Sequence, residues 1–145
     1  MIVQFKGKYF FLSNFYERFF VYDRISYNSA EAAFQAQKTL DKSERFIKFS
    51  GTISPSETKR KGRRVNLRPD WEEVKVPIMK DIVREKFKQN DDLMRMLLID
   101  TGNEELVEGN YWGDSFWGVD LKTNEGENHL GIILMELRDE FRKEL

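Results

Sequence analysis

The sequence predicts a predominantly helical α+β fold, a compact single domain with a small antiparallel sheet, and three observations carry that expectation. Aromatic and β-branched residues crowd the stretch from Ile2 to Tyr27 around the turn residues Gly7 and Asp23-Arg24, the pattern of short strands joined by turns. Helix-start residues followed by apolar positions at helical spacing then recur along the rest of the chain. No Ser/Gly-rich linker or change of composition divides the 145 residues, a length that suits one domain with its own hydrophobic core.

Each element has a local cause. Within the strand segment, FLSNF sets Asn14 between apolar neighbours, where an amide either caps backbone or faces a pocket. Ser29 has the character of an N-cap before Ala30, Ala32, Ala33 and Ala36, so a helix is expected from there past Lys38. Asp41 and Glu44 have capping-box spacing before Phe46, Ile47 and Phe49, with Gly51 to close that helix. Ser54, Pro55 and Glu57 repeat the start signal ahead of a short basic helix. Pro69 and Asp70 introduce a helix from Trp71, which Pro77 restarts or kinks, and Asn90 or Asp91 begins another that Gly102 ends. GNYWGDSFWGVD is too irregular for a helix and too glycine-rich for an ordinary strand, so it reads as a structured loop. Asn128 then caps a long amphipathic helix with Leu130, Ile133, Leu134, Leu137 and Phe141 on one face.

Composition narrows the chemistry. No apolar run spans a bilayer, and Gln4, Lys6 and Lys8 interrupt any leader pattern, so a cytoplasmic protein without a membrane partner is expected. With no cysteine and His129 as the one histidine, disulfides, thiolate zinc sites and cysteine nucleophiles are excluded and His-rich metal sites or serine triads lose support. No metal or cofactor is expected. Catalysis would fall to carboxylates, Lys, Tyr or bound water. A net charge of −1 argues against a surface that coats nucleic acid generally, while a local basic patch remains compatible with it.

Three features are candidates for a site. At helical spacing Glu31, Phe34, Gln35 and Lys38 form one stripe, odd for a core because a carboxylate, an amide and an amine would need partners or a ligand. Glu31 in a first turn is favoured in its ionised form, as a base or charge stabiliser or merely as a helix-start residue. Lys38 beside Phe34 would have a lowered pKa and could attack a carbonyl carbon, or is simply solvated. Lys59, Arg60, Lys61, Arg63, Arg64 and Arg68 form the one concentrated basic run, either a solvated surface or a phosphate site. Asp114 in DSFWG offers a second carboxylate, which either shares the work at a sugar carbon or bonds the amides of its own turn.

Taken in order, FLSNFY, SAEAAFQAQK, SPSETKRKGRRVNLRPDWEEVK, the KF and LLIDTG segments, DSFWG and NHLGIILMELR resemble the NADAR, or YbiA-like, family over nearly the whole chain. The resemblance implies a compact α+β domain with many helices and a small sheet. It also implies N-glycosidase activity, since some members resemble enzymes that cleave phosphoribosylamino pyrimidine intermediates of riboflavin biosynthesis and others are linked to NAD and ADP-ribose chemistry. By motif, Glu31, Trp71 and Asp114 match the family's acidic helix residue, the tryptophan of its DW pair and the aspartate before WG; Asn14, Gln35, Lys38, Trp117 and Asn128 would line the same pocket by analogy.

The expected substrate is then a small ribosyl phosphate or ADP-ribosyl compound, or an ADP-ribosylated base in nucleic acid. Some of Lys59, Arg60, Arg63, Arg64 and Arg68 would hold its phosphate and Trp71 or Trp117 would stack on its base. Glu31 and Asp114 would stabilise positive charge at C1 of the ribose and position water; alternatively Lys38 captures the opened sugar as a Schiff base. The competing expectation is a non-catalytic ADP-ribose or nucleotide sensor with the same pocket.

Overall fold

The computed structural model describes residues 1–145 and has the predominantly helical α+β character expected, with small sheets. The chain divides into two compact units, one of Asn14–Asn90 and one of Met1–Ser13 with Asp91–Leu145.

The Asn14–Asn90 unit opens with a hairpin. Strands β1 (Phe20–Tyr22) and β2 (Ile25–Tyr27) pair antiparallel, with Phe20 opposite Tyr27 and Tyr22 opposite Ile25. Asp23 and Arg24, the expected turn, both take left-handed backbone, at φ of 48° and 68°, as a two-residue hairpin loop requires. Four helices follow: α1 (Ala30–Ala36), α2 (Lys42–Phe49), α3 (Pro55–Gly62) and α4 (Trp71–Lys88). Their starts are local chemistry. Ser29 Oγ accepts from Ala32 N, Asp41 Oδ1 from Ser43 N and Glu44 N, and Ser54 Oγ from Glu57 N, each satisfying amides that the first turn leaves open. Gly51, at a φ of +69°, follows the end of α2 as expected.

Alanine explains the centre of this unit. Ala30, Ala32, Ala33 and Ala36 are wholly buried, and their small side chains let α1 pack against α2, α3 and α4 together. Phe34, Phe49, Trp71, Met79, Ile82, Val83 and Phe87 fill the space around it. Pro77 lies within α4 at an exposed position and the helix runs through it from Trp71 to Lys88, with no new start there.

In the second unit the N-terminal segment is not the run of strands its aromatic residues imply. Gly7 has a φ of 61° and Gly7–Leu12 coils into a 3-10 helix, burying Phe11 and Leu12; only Ile2 bridges to Leu106. Aromatic crowding there does not encode a strand period: Phe11 is buried while Phe10 is exposed. Helix α5 (Asp91–Arg95) continues into a π-helical turn over Met96–Asp100, which Gly102 follows at a φ of +52°. The glycine-rich loop carries two short strands, β3 (Gly109–Asn110) and β4 (Val119–Asp120), that pair in parallel. Helix α6 (His129–Lys143) buries Leu130, Ile133, Leu134, Leu137 and Phe141, the face its spacing marks. Asn128 stands at its start in left-handed backbone but makes no capping bond, a correction to the capping role expected of it. No helix is long and apolar enough to cross a membrane.

Candidate active site

The three polar members of the Glu31 stripe are half-buried on an otherwise sealed segment: Glu31, Gln35 and Lys38 keep partial exposure while Phe34 is buried. Phe34 meets the buried Trp71 with ring centroids 4.9 Å apart at a tilt of 48°. Trp71 therefore packs the core side of α1. The first turn is anchored by Ser29, which caps it, and by Glu31 N, which donates to Asn14 O at 3.0 Å. The carboxylate meets a side chain: Gln35 Nε2 donates to Glu31 Oε1 at 2.8 Å, the i, i+4 geometry of one helical face.

Lys38 is not on the helix as expected. α1 stops at Ala36 with Gln37 as its C-cap, and tighter three-residue bonds from Gln37 N to Phe34 O and Lys38 N to Gln35 O, 3.1 and 3.2 Å, turn the chain away. Arg68 N then donates to Lys38 O at 2.8 Å, tying the basic segment to this turn. Burial lowers the Lys38 pKa below that of an ordinary lysine; the Glu31 carboxylate opposes this and the Arg63 guanidinium reinforces it. The lysine thus feels both the carboxylate and a guanidinium.

Asn14 completes this group. It is buried, its Nδ2 has only the thioether of Met79 at 3.4 Å, and its Oδ1 has no donor. Buried amide oxygens are ordinarily paired, so this atom is a ready acceptor.

The basic residues are not equivalent. Arg68 is fastened to Asp70 through Nε at 2.7 Å and Nη2 at 3.1 Å, which holds the guanidinium pKa up and the Asp70 carboxyl down. It lines a cavity of about 210 Å³ with Thr39, Asp41 and Glu44 that none of Glu31, Gln35 and Lys38 lines. Arg60 lies 3.8 Å from Glu57, Lys61 pairs with the same carboxylate, and Lys59 sits over the Phe15 ring. Arg63 and Arg64 are exposed, and no acidic side chain engages either.

Asp114, Trp117 and Asn128 belong to the other unit. Asp114 Oδ1 accepts from Phe116 N at 3.1 Å and Trp117 N at 3.0 Å, holding its turn. Trp117 stands edge-on to Phe116, centroids 4.9 Å apart. Asn128 uses both ends of its amide on backbone: Oδ1 accepts from Glu108 N and Nδ2 donates to Leu106 O, each at 3.0 Å. No group of three or more His, Asp or Glu side chains is arranged to hold a metal ion.

Two structural residues escaped the sequence reading. Asn110 is fully buried and clasps Asp114 from both sides, donating to its O at 2.8 Å and accepting from its N at 2.9 Å. Gly62 lies against Gln35; a glycine inside a helical segment with no turn to make was the available signal.

Comparison with known proteins places the chain. The NADAR domain model matches residues 3–142. A protein of Shigella flexneri serotype 5b named N-glycosidase YbiA is 39% identical over 130 residues, covering 88% of this chain and 79% of its own length. An N-glycosidase of Nostoc punctiforme is 39% identical over 118 residues, 79% of this chain and 74% of that protein. A riboflavin biosynthesis protein of Vibrio vulnificus is 36% identical over 135 residues, 92% of this chain but 36% of the longer relative. The NMR structure of the E. coli protein YbiA has a TM-score of 0.85 to this chain at 36% identity, covering 99% of this chain and 86% of that one.

Proposed function

Since the chain belongs to the NADAR family, we propose that it is an N-glycosidase, a hydrolase that splits the bond between a ribosyl C1 and a nitrogen base or amine. The observation that carries this reading is the Glu31 carboxylate, which accepts from the Gln35 side chain, with a lysine of lowered pKa in its field. The family model runs through both compact units, and we take residues 1–145 as one working domain of the cytoplasm.

The substrate we propose is a phosphoribosylaminopyrimidine, in keeping with the name of the Vibrio vulnificus relative. Arg63 and Arg64 take its phosphate, because their guanidinium groups carry no carboxylate partner to displace. Asn14 Oδ1, buried without a donor, accepts a ribose hydroxyl. Glu31 faces the positive charge that grows at C1 as the bond to nitrogen breaks, and orients the water that replaces it. Asp114 is assigned to the shape of its loop, since its Oδ1 already serves two backbone amides.

The lowered Lys38 pKa supports a second route. A neutral Lys38 amine attacks C1 of the ring-opened sugar, the amine of the base leaves, and water cleaves the resulting protonated imine to free the ribose phosphate and the lysine. Borohydride added during turnover distinguishes the two, because a reduced, mass-shifted adduct on Lys38 is expected only from the imine.

The reading is tested by incubating the protein and Glu31→Gln with a phosphoribosylaminopyrimidine, NAD, ADP-ribose and an oligonucleotide bearing ADP-ribosylated guanine, following released base by chromatography. Release from the first compound, lost in a variant of unchanged circular dichroism, is expected. Release from the oligonucleotide alone would move the substrate to modified nucleic acid. Binding of any member with no release would make the protein a nucleotide sensor.

A further inference from the structure

Gly62 is the last residue of α3, and nothing in its backbone asks for glycine. It is absent from the left-handed positions of the chain, and glycine is a poor helix former. What it provides is space. A Cβ on Gly62 would lie 2.1 Å from Gln35 Oε1 and 2.8 Å from Gln35 Cδ, so the Gln35 amide fills the place where a side chain would stand. Its oxygen is buried there without a donor, while Nε2 at the other end donates to Glu31 Oε1 at 2.8 Å. An amide held with one end unsatisfied is not placed for its own comfort.

We propose that Gln35, clamped on the bare Cα of Gly62, is a positioning residue for the Glu31 carboxylate. The proposal rests on the N-glycosidase reading of Glu31. A glutamine side chain on an open helix face samples several rotamers; with its oxygen seated on Gly62, Nε2 has one aim. The donor is an amide, which does not titrate, so it supports the ionised carboxylate over the whole working range of pH. Gln35 acts through Glu31 and needs no contact with the substrate.

Two substitutions attack the clamp from opposite ends. Gln35→Met keeps the length and removes the donor; Gly62→Ala keeps Gln35 and fills its seat. Each is expected to lower kcat about ten- to hundredfold, the rate equivalent of one hydrogen bond to a charged group, with KM changed far less. Each should also move the acidic limb of the kcat profile to higher pH, because the ionised carboxylate has lost its donor. The double variant is expected to be no slower than Gln35→Met alone, since Gly62 acts only through Gln35. Additive losses, or a Gly62→Ala enzyme with the parent kcat and pH profile, would overturn the clamp. A readout independent of turnover separates this from the activity itself. The side-chain amide resonances of Gln35 in a nitrogen-15 NMR spectrum should shift in both Glu31→Gln and Gly62→Ala. Those shifts in a protein inactive on every substrate would sink the N-glycosidase reading and leave the clamp standing; unmoved resonances in an active enzyme would do the reverse.

Discussion

Two carboxylates, Glu31 in the alanine-rich helix and Asp114 in the glycine-rich loop, differ in what holds them. Asp114 Oδ1 accepts two backbone N–H groups, and Asn110 grips its main chain on both sides; each of these bonds sets the direction of the chain. Glu31 takes a side-chain donor, while Ser29 caps its helix and Asn14 O receives its N–H. A carboxylate that a neighbouring serine relieves of capping can serve a reaction without disturbing the backbone. One that is itself the brace of a turn cannot be moved without loosening the turn. The difference lies in the partners, since both residues are acidic and neither is fully buried.

The largest expected effect tests the first half of that contrast. Glu31→Gln preserves an oxygen for Gln35 to bond and leaves the Ser29 cap in place, so the melting temperature should hold within a few degrees. Turnover should fall by roughly 10²- to 10⁴-fold, the usual contribution of a positioned acid–base group. Ser29→Ala is the mirror experiment: it keeps the carboxylate and should cost about 1 kcal/mol of stability through the lost cap. A Glu31→Gln protein that melts far below the parent while retaining turnover would place Glu31 among the structural carboxylates and dissolve the comparison.

The contrast also marks what a sequence can disclose. Helix starts were readable because their cause is local: Ser29, Asp41 and Ser54 accept the very first-turn amides that their positions imply. The apolar face of α6 was readable because its period is the period of a helix. The 3-10 coil of Gly7–Leu12 was not, since aromatic residues in succession fit burial in either state. Nor was the early end of α1, where the bond from Arg68 N to Lys38 O depends on a segment far along the chain. In the candidate site, the i, i+4 spacing foretold that Glu31 and Gln35 share a face, but nothing local pairs Gln35 with Gly62 or sets Arg63 to act on Lys38. Residue type names the candidates; only packing assigns their partners.

The lysines sharpen the same point. Lys86 is almost fully buried in α4, its pKa lowered to about 7 by desolvation and then by the Arg18 charge, with the rings of Phe87 and Tyr16 at 5.3 and 5.8 Å. Lys38 is also lowered by burial, yet it keeps part of its surface and lies in the field of Glu31. Desolvation is the first cause of the Lys86 shift, and Lys86 is expected to serve stability and not turnover. In the unfolded chain Lys86 stays protonated up to its ordinary pKa, whereas the folded protein releases that proton near pH 7. Between those values the unfolded state binds more protons, so stability rises with pH from about 7 upward, at ~1.4 kcal/mol per unit where the difference is complete. Below pH 7 this group adds no further dependence. Urea unfolding at pH 7, 8 and 9 should show the rise, and Lys86→Met should flatten it while adding on the order of 1–3 kcal/mol at pH 7 without changing turnover. An unchanged slope in Lys86→Met would assign the rise to other groups; lost turnover in a well-folded variant would make burial itself a sign of chemistry.

The smallest expected effect concerns Asp114 and decides the second half of the contrast. Asp114→Asn retains an oxygen that can accept from Phe116 N and Trp117 N, so the brace survives and the charge goes. Asp114→Ala removes both. If the carboxylate serves only its turn, Asn should be near-silent in turnover and within ~0.5 kcal/mol in stability, while Ala loses about 1–2 kcal/mol, in the range of a lost capping side chain. For a chain of this length that is a fall of a few degrees in melting temperature. A catalytic carboxylate gives the opposite order in the assay, because the charge and not the oxygen is then what matters, and Asn would fall as far as Glu31→Gln does. The Asn variant therefore carries the decision: its oxygen is present, its charge is absent, and only one of the two roles survives that exchange.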